Sequence, residues 1–256
     1  MMIKSDLIPT PINVEKTNWQ EAQTELYWFR SQPLPTHFFN ALSMGIPESE
    51  RFLVRNLMPV ILRVSDDDLR QKLRDFIEEE KSHSLQHTKF NQDLKKHGYP
   101  IDWINRVMNL VYKLMSHTFS MKTKLAMMSA MEHMTAVLAQ WGLTYDMMFD
   151  RDCDVYDLFI WHAVEELSHR SVIFDVYQYM GGGYIRRMLS MLFISGLLTF
   201  GIVSVQWLFI LIDVIKRRRI KWRHIKYGWT FFLGRQGMIR RCLKHYLSYY
   251  KTTYEP

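Results

Sequence analysis

Apolar residues recur at three- and four-residue intervals almost throughout the chain, and no stretch alternates with period two over the length of a strand. The pattern predicts helices alone. Punctuation divides them. A short amphipathic helix is expected over residues 19–29, ended by Pro33 and Pro35, then a helical turn over 36–44 that stops at Gly45. Pro47 then stands where a first helical residue should, and Glu48-Ser49-Glu50-Arg51 opens the next helix, with a kink at Pro59. Ser65-Asp66-Asp67-Asp68 is a turn and N-cap for a helix over 66–97, which Gly98 and Pro100 stop. Further helices are expected over 101–117, 121–148 and 152–180. The last two are separated by the polar break Asp150-Arg151-Asp152, and Gly181-Gly182-Gly183 closes the third.

Two of these helices carry a Glu followed three residues later by a His: Glu80/His83 and Glu166/His169. Three residues apart on a helix is one face, so each pair can offer a carboxylate and an imidazole to one ion. One such pair is common by chance. Here each is preceded, one helical hairpin earlier, by another Glu, Glu50 and Glu132. Two antiparallel hairpins packed together bring four carboxylates and two imidazoles into one layer, the ligand set of ferritin-like carboxylate proteins. His162 shares a face with Glu166 and His169 and is either a third imidazole ligand or a hydrogen-bonding core residue. His87, on the face of Glu80 and His83, is either a partner of a ligand or a surface group. Glu78 and Glu79 are expected to be solvated, and His133 to be structural. Glu132 lies among Met127, Met128, Met131 and Met134, where an unpaired carboxylate would be costly. Helix-N-terminal carboxylates are the competing reading for Glu50 and, more so, for Glu48.

Beyond the glycines, residues 188–212 hold no charge over 25 positions, more than the roughly 20 needed to cross a bilayer core. Arg186 and Arg187 precede this run and Lys216 to Arg219 follow it, so the flanks do not orient a span. A single span, an element bent near Gly196 or Gly201 that dips into one leaflet, and a helix covering the bundle all remain open. Net charge is +7, but from Asp213 onward twelve cations face two acids, +10, which leaves −3 for the rest. Trp222, Trp229 and several Tyr interleave with those cations, as on an interfacial surface. Nucleic acid is the competing partner for such a tail, but the adjoining apolar run favours lipid. Cys153 and Cys242 are too few for a disulfide framework, and no signal peptide opens the chain, so a cytoplasmic protein at the inner face of the membrane is expected.

Ile46-Pro47-Glu48-Ser49-Glu50-Arg51-Phe52, Glu80-x-x-His83-x-x-x-His87, Glu132-His133-x-Thr135-Ala136 and Trp161-His162-x-x-Glu165-Glu166-x-x-His169 resemble a bacterial family of predicted metal-dependent hydrolases, thought to be ferritin-like. The resemblance covers residues 34–180 and weakens in the apolar tail. Ser49 stands where Gly is expected and Ser168 where Glu is expected. The order of ligands is also similar to that of p-aminobenzoate N-oxygenase-type di-iron enzymes. That likeness implies the ligands Glu50, Glu80, His83, Glu132, His162, Glu166 and His169.

The expectation is an all-α, ferritin-like four-helix bundle with extra helices. Its segments are 1–33, a di-metal bundle over 34–183, and a hydrophobic, basic C-terminal helical region over 184–256. It would bind two iron ions, with manganese or zinc as alternatives, and oxidise a small, lipid-like molecule using dioxygen and an unidentified electron donor. A dinuclear hydrolase and a non-catalytic metal-binding membrane protein are the rivals. A homo-oligomer is compatible with the sequence.

Overall fold

A computed structural model describes residues 19, 24–145, 155–217 and 220–256. Residues 1–18, the Asp150–Asp152 break, Cys153, Arg218 and Arg219 lie outside the described residues, as do positions 20–23 of the expected helix over 19–29. The described residues form eight helices and no strands, so the chain is all-α.

The first helix differs from expectation. Residues 26–31 are a turn in which Arg30 and Ser31 take positive φ, and α1 runs unbroken from Pro33 to Ile61. Pro33 and Pro35 therefore open a helix, where a missing N–H costs nothing. Gly45 and Pro47 lie inside it. Pro47 cannot donate to the Ser43 carbonyl one turn back, but Asn91 Nδ2 of the next helix donates to that carbonyl at 2.9 Å. Pro59 sits on the exposed side near the end, and Arg55, whose carbonyl it cannot serve, is exposed too. Because α1 begins at Pro33, neither Glu48 nor Glu50 is at a helix N-terminus. Glu48 is instead buried, bonded to Asn109 and Arg51.

Helix α2, Asp67–Lys96, starts as its sequence says, with the Asp66 side chain accepting from Leu69 N at 2.8 Å. Gly98, at φ +82°, turns the chain out of it. Helix α3, Ile101–Thr118, crosses outside α1 and leads to α4, Met121–Thr144, and α5, Tyr156–Tyr179. Helices α1 and α2 pair closely, as do α4 and α5, and α2 lies against α5, giving a four-helix bundle.

Helix α6, Tyr184–Arg217, is continuous through Gly196 and Gly201, so the bent re-entrant form is not adopted. At about 1.5 Å per residue its 34 residues reach about 51 Å. It packs along both α1 and α4. Arg187 at one end is buried among the rings of Phe174, Tyr249 and Tyr254 and donates to the Lys251 carbonyl at 2.6 Å. Asp213 at the other end is buried and accepts from Tyr27 and Tyr99 hydroxyls and faces His37 Nε2 at 2.9 Å. Short helices α7, Trp222–Leu233, and α8, Met238–Ser248, complete the chain against α1 and α4.

Candidate metal centre

The bundle core is apolar above and below one polar layer. Leu53, Leu57, Phe76, Ile173 and Tyr177 fill one side, and Phe39, Phe90, Trp141 and Phe159 the other. Between them, each of the four bundle helices contributes to the layer. Glu50 comes from α1, Glu80 and His83 from α2, Glu132 from α4, and His162, Glu166 and His169 from α5, all buried. All seven residues singled out by spacing and resemblance therefore lie in one place.

Their ligand-capable atoms converge as two overlapping sets, Glu50, His83, His162 and Glu166, and Glu80, His83, Glu166 and His169. Within each set these atoms lie within 4.8 Å of one another. His162 Nε2 is 2.7 Å from Glu166 Oε1 and 3.8 Å from Glu50 Oε1, and His83 Nδ1 is 3.7 Å from Glu80 and 3.9 Å from Glu50. Ligands bonded at about 2.1 Å to one ion stand about 3 Å apart at right angles and about 4.2 Å apart across it, so these spacings suit a shared ion. Glu132 lies outside both sets but faces the same cavity.

Several of these atoms have no hydrogen-bond partner: Glu50 Oε2, Glu80 Oε1, His83 Nδ1, Glu132 Oε2 and His169 Nδ1. Glu80 Oε1 and His169 Nδ1 stand only 2.8 Å apart yet off the hydrogen-bond direction. Buried polar atoms are almost always satisfied, and a cluster of orphans aimed at one point is what a bound cation resolves. The residues fit a metal pair.

The other nitrogen of each imidazole is held. His83 Nε2 meets Glu165 Oε2 at 2.6 Å, and Glu165 also accepts from Trp161 Nε1 at 2.9 Å. His169 Nε2 meets Glu79 Oε2 at 2.6 Å. Glu79, expected to be solvated, is thus only half-exposed and clamps a histidine, while Glu78 pairs with Lys81 on the surface. For His162 the partner is a buried chain. Asn91 Nδ2 is committed to the Ser43 carbonyl, so Asn91 Oδ1 accepts from Ser43 Oγ at 2.9 Å. Ser43 Oγ then accepts from His87 Nδ1 at 2.8 Å, leaving His87 Nε2 to accept from His162 Nδ1 at 2.8 Å. That tautomer turns the His162 Nε2 lone pair toward the carboxylates for an ion to take; without an ion, the 2.7 Å contact with Glu166 Oε1 holds a proton. Such partners orient metal-binding imidazoles and set their tautomer.

Electrostatics separate the four carboxyls. Burial, then repulsion from Glu80 and Glu166, pushes Glu50 well above the usual carboxylate range. Burial, then Glu166 and Glu80, does the same to Glu132. Burial also opposes charge on Glu80 and Glu166, but adjacent imidazoles outweigh it and hold both low. Burial likewise disfavours imidazolium at His83 and His169, yet Glu165 and Glu80 raise His83 to about 9, and Glu79 and Glu80 raise His169 to about 11. Burial and the charge on His83 depress His162, and burial depresses His87 well below its ordinary value. The layer thus balances its charge by favouring protons on Glu50, Glu132, His83 and His169.

A cavity of ≈ 120 Å³ adjoins the layer, lined by Glu50, Glu132, His162 and Glu166 and by apolar side chains of α1, α4 and α5. His133 turns away from it, bonding Tyr254 and the His245 carbonyl, a structural role as expected. Ser168 bonds the Glu165 carbonyl on the surface, so its departure from the expected Glu leaves the ligand layer untouched.

The family described as "Predicted metal-dependent hydrolase" matches residues 14–256. The chain belongs to this family. No curated protein and no solved structure matches it. Ser43 and Asn91 carry no signal in the sequence, and Glu165 enters only within the resemblance motif, without a role. Its signal was the doubled motif itself, Glu-Glu-x-Ser-His at both 79–83 and 165–169.

Proposed function

We propose that this member of the metal-dependent family binds two iron ions and oxidises an apolar molecule with dioxygen. The observation that carries the reading is the pair of overlapping ligand sets that share His83 and Glu166, with Glu132 unpartnered beside them. Glu50, Glu80, His83, Glu132, His162, Glu166 and His169 would hold the ions. Iron held there would supply dioxygen activation, with electrons from an external donor. The carboxylates supply hard anionic oxygens, and their number offsets much of the charge of two cations. The histidines are positioned by Glu165, Glu79 and His87, and can therefore bind without reorganising.

The cavity supports an apolar substrate. Phe38, Phe39, Leu42, Leu138 and Trp141 line it and exclude water from the carboxylates. Phe38 and Trp141 continue into Phe232 and Phe231 of α7, so the apolar wall extends toward the tail.

A second reading, a dinuclear hydrolase in which paired metals activate water, is favoured by the family's description. One experiment separates them. Purified full-length protein is analysed for metal, reduced, and exposed to dioxygen with an apolar substrate. Iron content, an absorbance change and dioxygen consumption abolished by Glu132→Ala are expected. Zinc content with dioxygen-independent turnover would overturn the oxygenase reading in favour of hydrolysis.

A further inference from the structure

We infer that α6, α7 and α8 form a docking face for an anionic lipid bilayer, with α6 lying along the membrane plane rather than crossing it. The inference stands apart from the metal chemistry.

Between its buried ends Arg187 and Asp213, helix α6 carries no charge on any side. Arg187, Met191, Ile194, Gln206, Phe209 and Asp213 form the stripe seated on the bundle. Phe193, Phe200, Val203, Trp207 and Leu211 form the opposite stripe, and Phe200 is 74% exposed. A helix that is apolar all round needs cover on all sides. Its bundle-facing half has that cover and its outer half does not.

The two short helices repeat the arrangement. On α7, Trp222 and Trp229 are exposed at helical spacing, and on α8, Ile239, Leu243 and Leu247 are. All three helices lie on the α1–α4 side of the bundle, and Ser195 of α6 bonds Tyr246 of α8. Amphipathic helices with exposed Trp and Leu beside cations are built for the headgroup boundary.

Charge selects the occupant. Arg223 and Lys226 on α7 and Arg240 and Lys244 on α8 are exposed beside these stripes, and no acidic residue occurs from 214 to 254. A second copy of this chain would bring like charges together, whereas an anionic leaflet attracts them. The orientation follows from the anchors. Arg187, over the ring of Phe174 of α5, and Asp213, against His37 of α1, pin opposite ends of α6 to the bundle, so the helix cannot stand across a bilayer without carrying the bundle in.

The test is sedimentation of the full chain with vesicles of phosphatidylcholine alone or mixed with phosphatidylglycerol, in low and high salt. Binding that requires phosphatidylglycerol and weakens in salt is expected. Arg240→Gln and Lys244→Gln, both surface changes, should each weaken it about fivefold. Trp229→Ser provides an independent apolar variant, with helicity and metal content as folding controls. Depth is read from fluorophores on Leu189→Cys, Phe200→Cys or Leu211→Cys in a Cys153→Ser/Cys242→Ser background. Equal, shallow quenching at all three supports the in-plane arrangement. A deep Phe200→Cys label between shallow ends overturns it, as does failure to bind anionic vesicles. Equal binding to neutral vesicles also overturns it, as does a lipid-free dimer that Trp229→Ser dissolves.

Discussion

His83 of α2 and Glu165 of α5 meet at 2.6 Å, and the relationship is reciprocated: Glu79 of α2 meets His169 of α5 at the same distance. Each Glu-Glu-x-Ser-His repeat lends its second Glu and its His to the ligand layer, and its first Glu to the histidine of the other repeat. The antiparallel packing of α2 on α5 makes the exchange symmetrical.

Removing a clamp should loosen metal binding while leaving the fold intact. Glu165→Ala and Glu79→Ala are each expected to lower metal affinity by about 10–100-fold. Glu165→Ala should be the more severe, since Glu79 is 44% exposed and water can replace it, against 23% for Glu165. Competition against a chelating dye measures this. Wild-type affinity in both variants would refute the clamps.

The ordinary arrangement of a buried carboxylate cluster is proton-filled, and ions must displace those protons. His83 and His169 have folded-state values raised above 6.5, to about 9 and about 11. Their stabilisation is fully present below 6.5 and is lost as pH rises through those values. Glu50 and Glu132, also raised, act in the same sense. Chelator-stripped protein should therefore lose thermal stability as pH rises from 6.5 through about 9 and on toward about 11, while metal-loaded protein holds it. Calorimetry in buffers of different ionisation enthalpy should register proton release on metal addition, and metal affinity should fall with acid. Absence of proton release at neutral pH would contradict the charge state.

Glu132 carries a buried, unpartnered oxygen, a cost of about 1–3 kcal/mol in metal-free protein. Glu132→Leu should raise the stability of the stripped protein by a similar amount and lower the metal bound per chain. Denaturant unfolding and elemental analysis report the two effects. An unchanged stoichiometry would remove Glu132 from the ligands.

Ser43→Ala would break the chain from Asn91 to His162 and strand His87 Nδ1. The expected loss is about 1–3 kcal/mol of stability. Nitrogen-15 NMR of the imidazoles should show His162 in a mixture of tautomers in place of one, and a single tautomer in the variant would argue against the relay.

Asp213→Ala takes the buried carboxylate from Tyr27, Tyr99 and His37 together. About 3–5 kcal/mol of destabilisation is expected in unfolding experiments. A loss under 1 kcal/mol would mean that α6 is held by apolar packing alone.

The helical class, the ends of α2 and α3, and the polar layer were legible in the sequence. Glu at a hairpin's distance from Glu-x-x-His, twice over, leaves antiparallel helices little choice but to bring Glu50, Glu80, Glu132 and Glu166 to one height. Ends such as Asp66 and Gly98 were legible because capping and positive φ are local matters. Tertiary structure decided what depends on a neighbouring helix. Gly45 and Pro47 read as a break because one helix alone cannot supply a donor for the Ser43 carbonyl; Asn91, 48 positions away, does. Glu79 read as solvated because its partner, His169, stands 90 positions away. Helical period places a side chain on a face, but only packing says what that face meets. For the outer face of α6, packing supplies cover on one side and leaves the other bare.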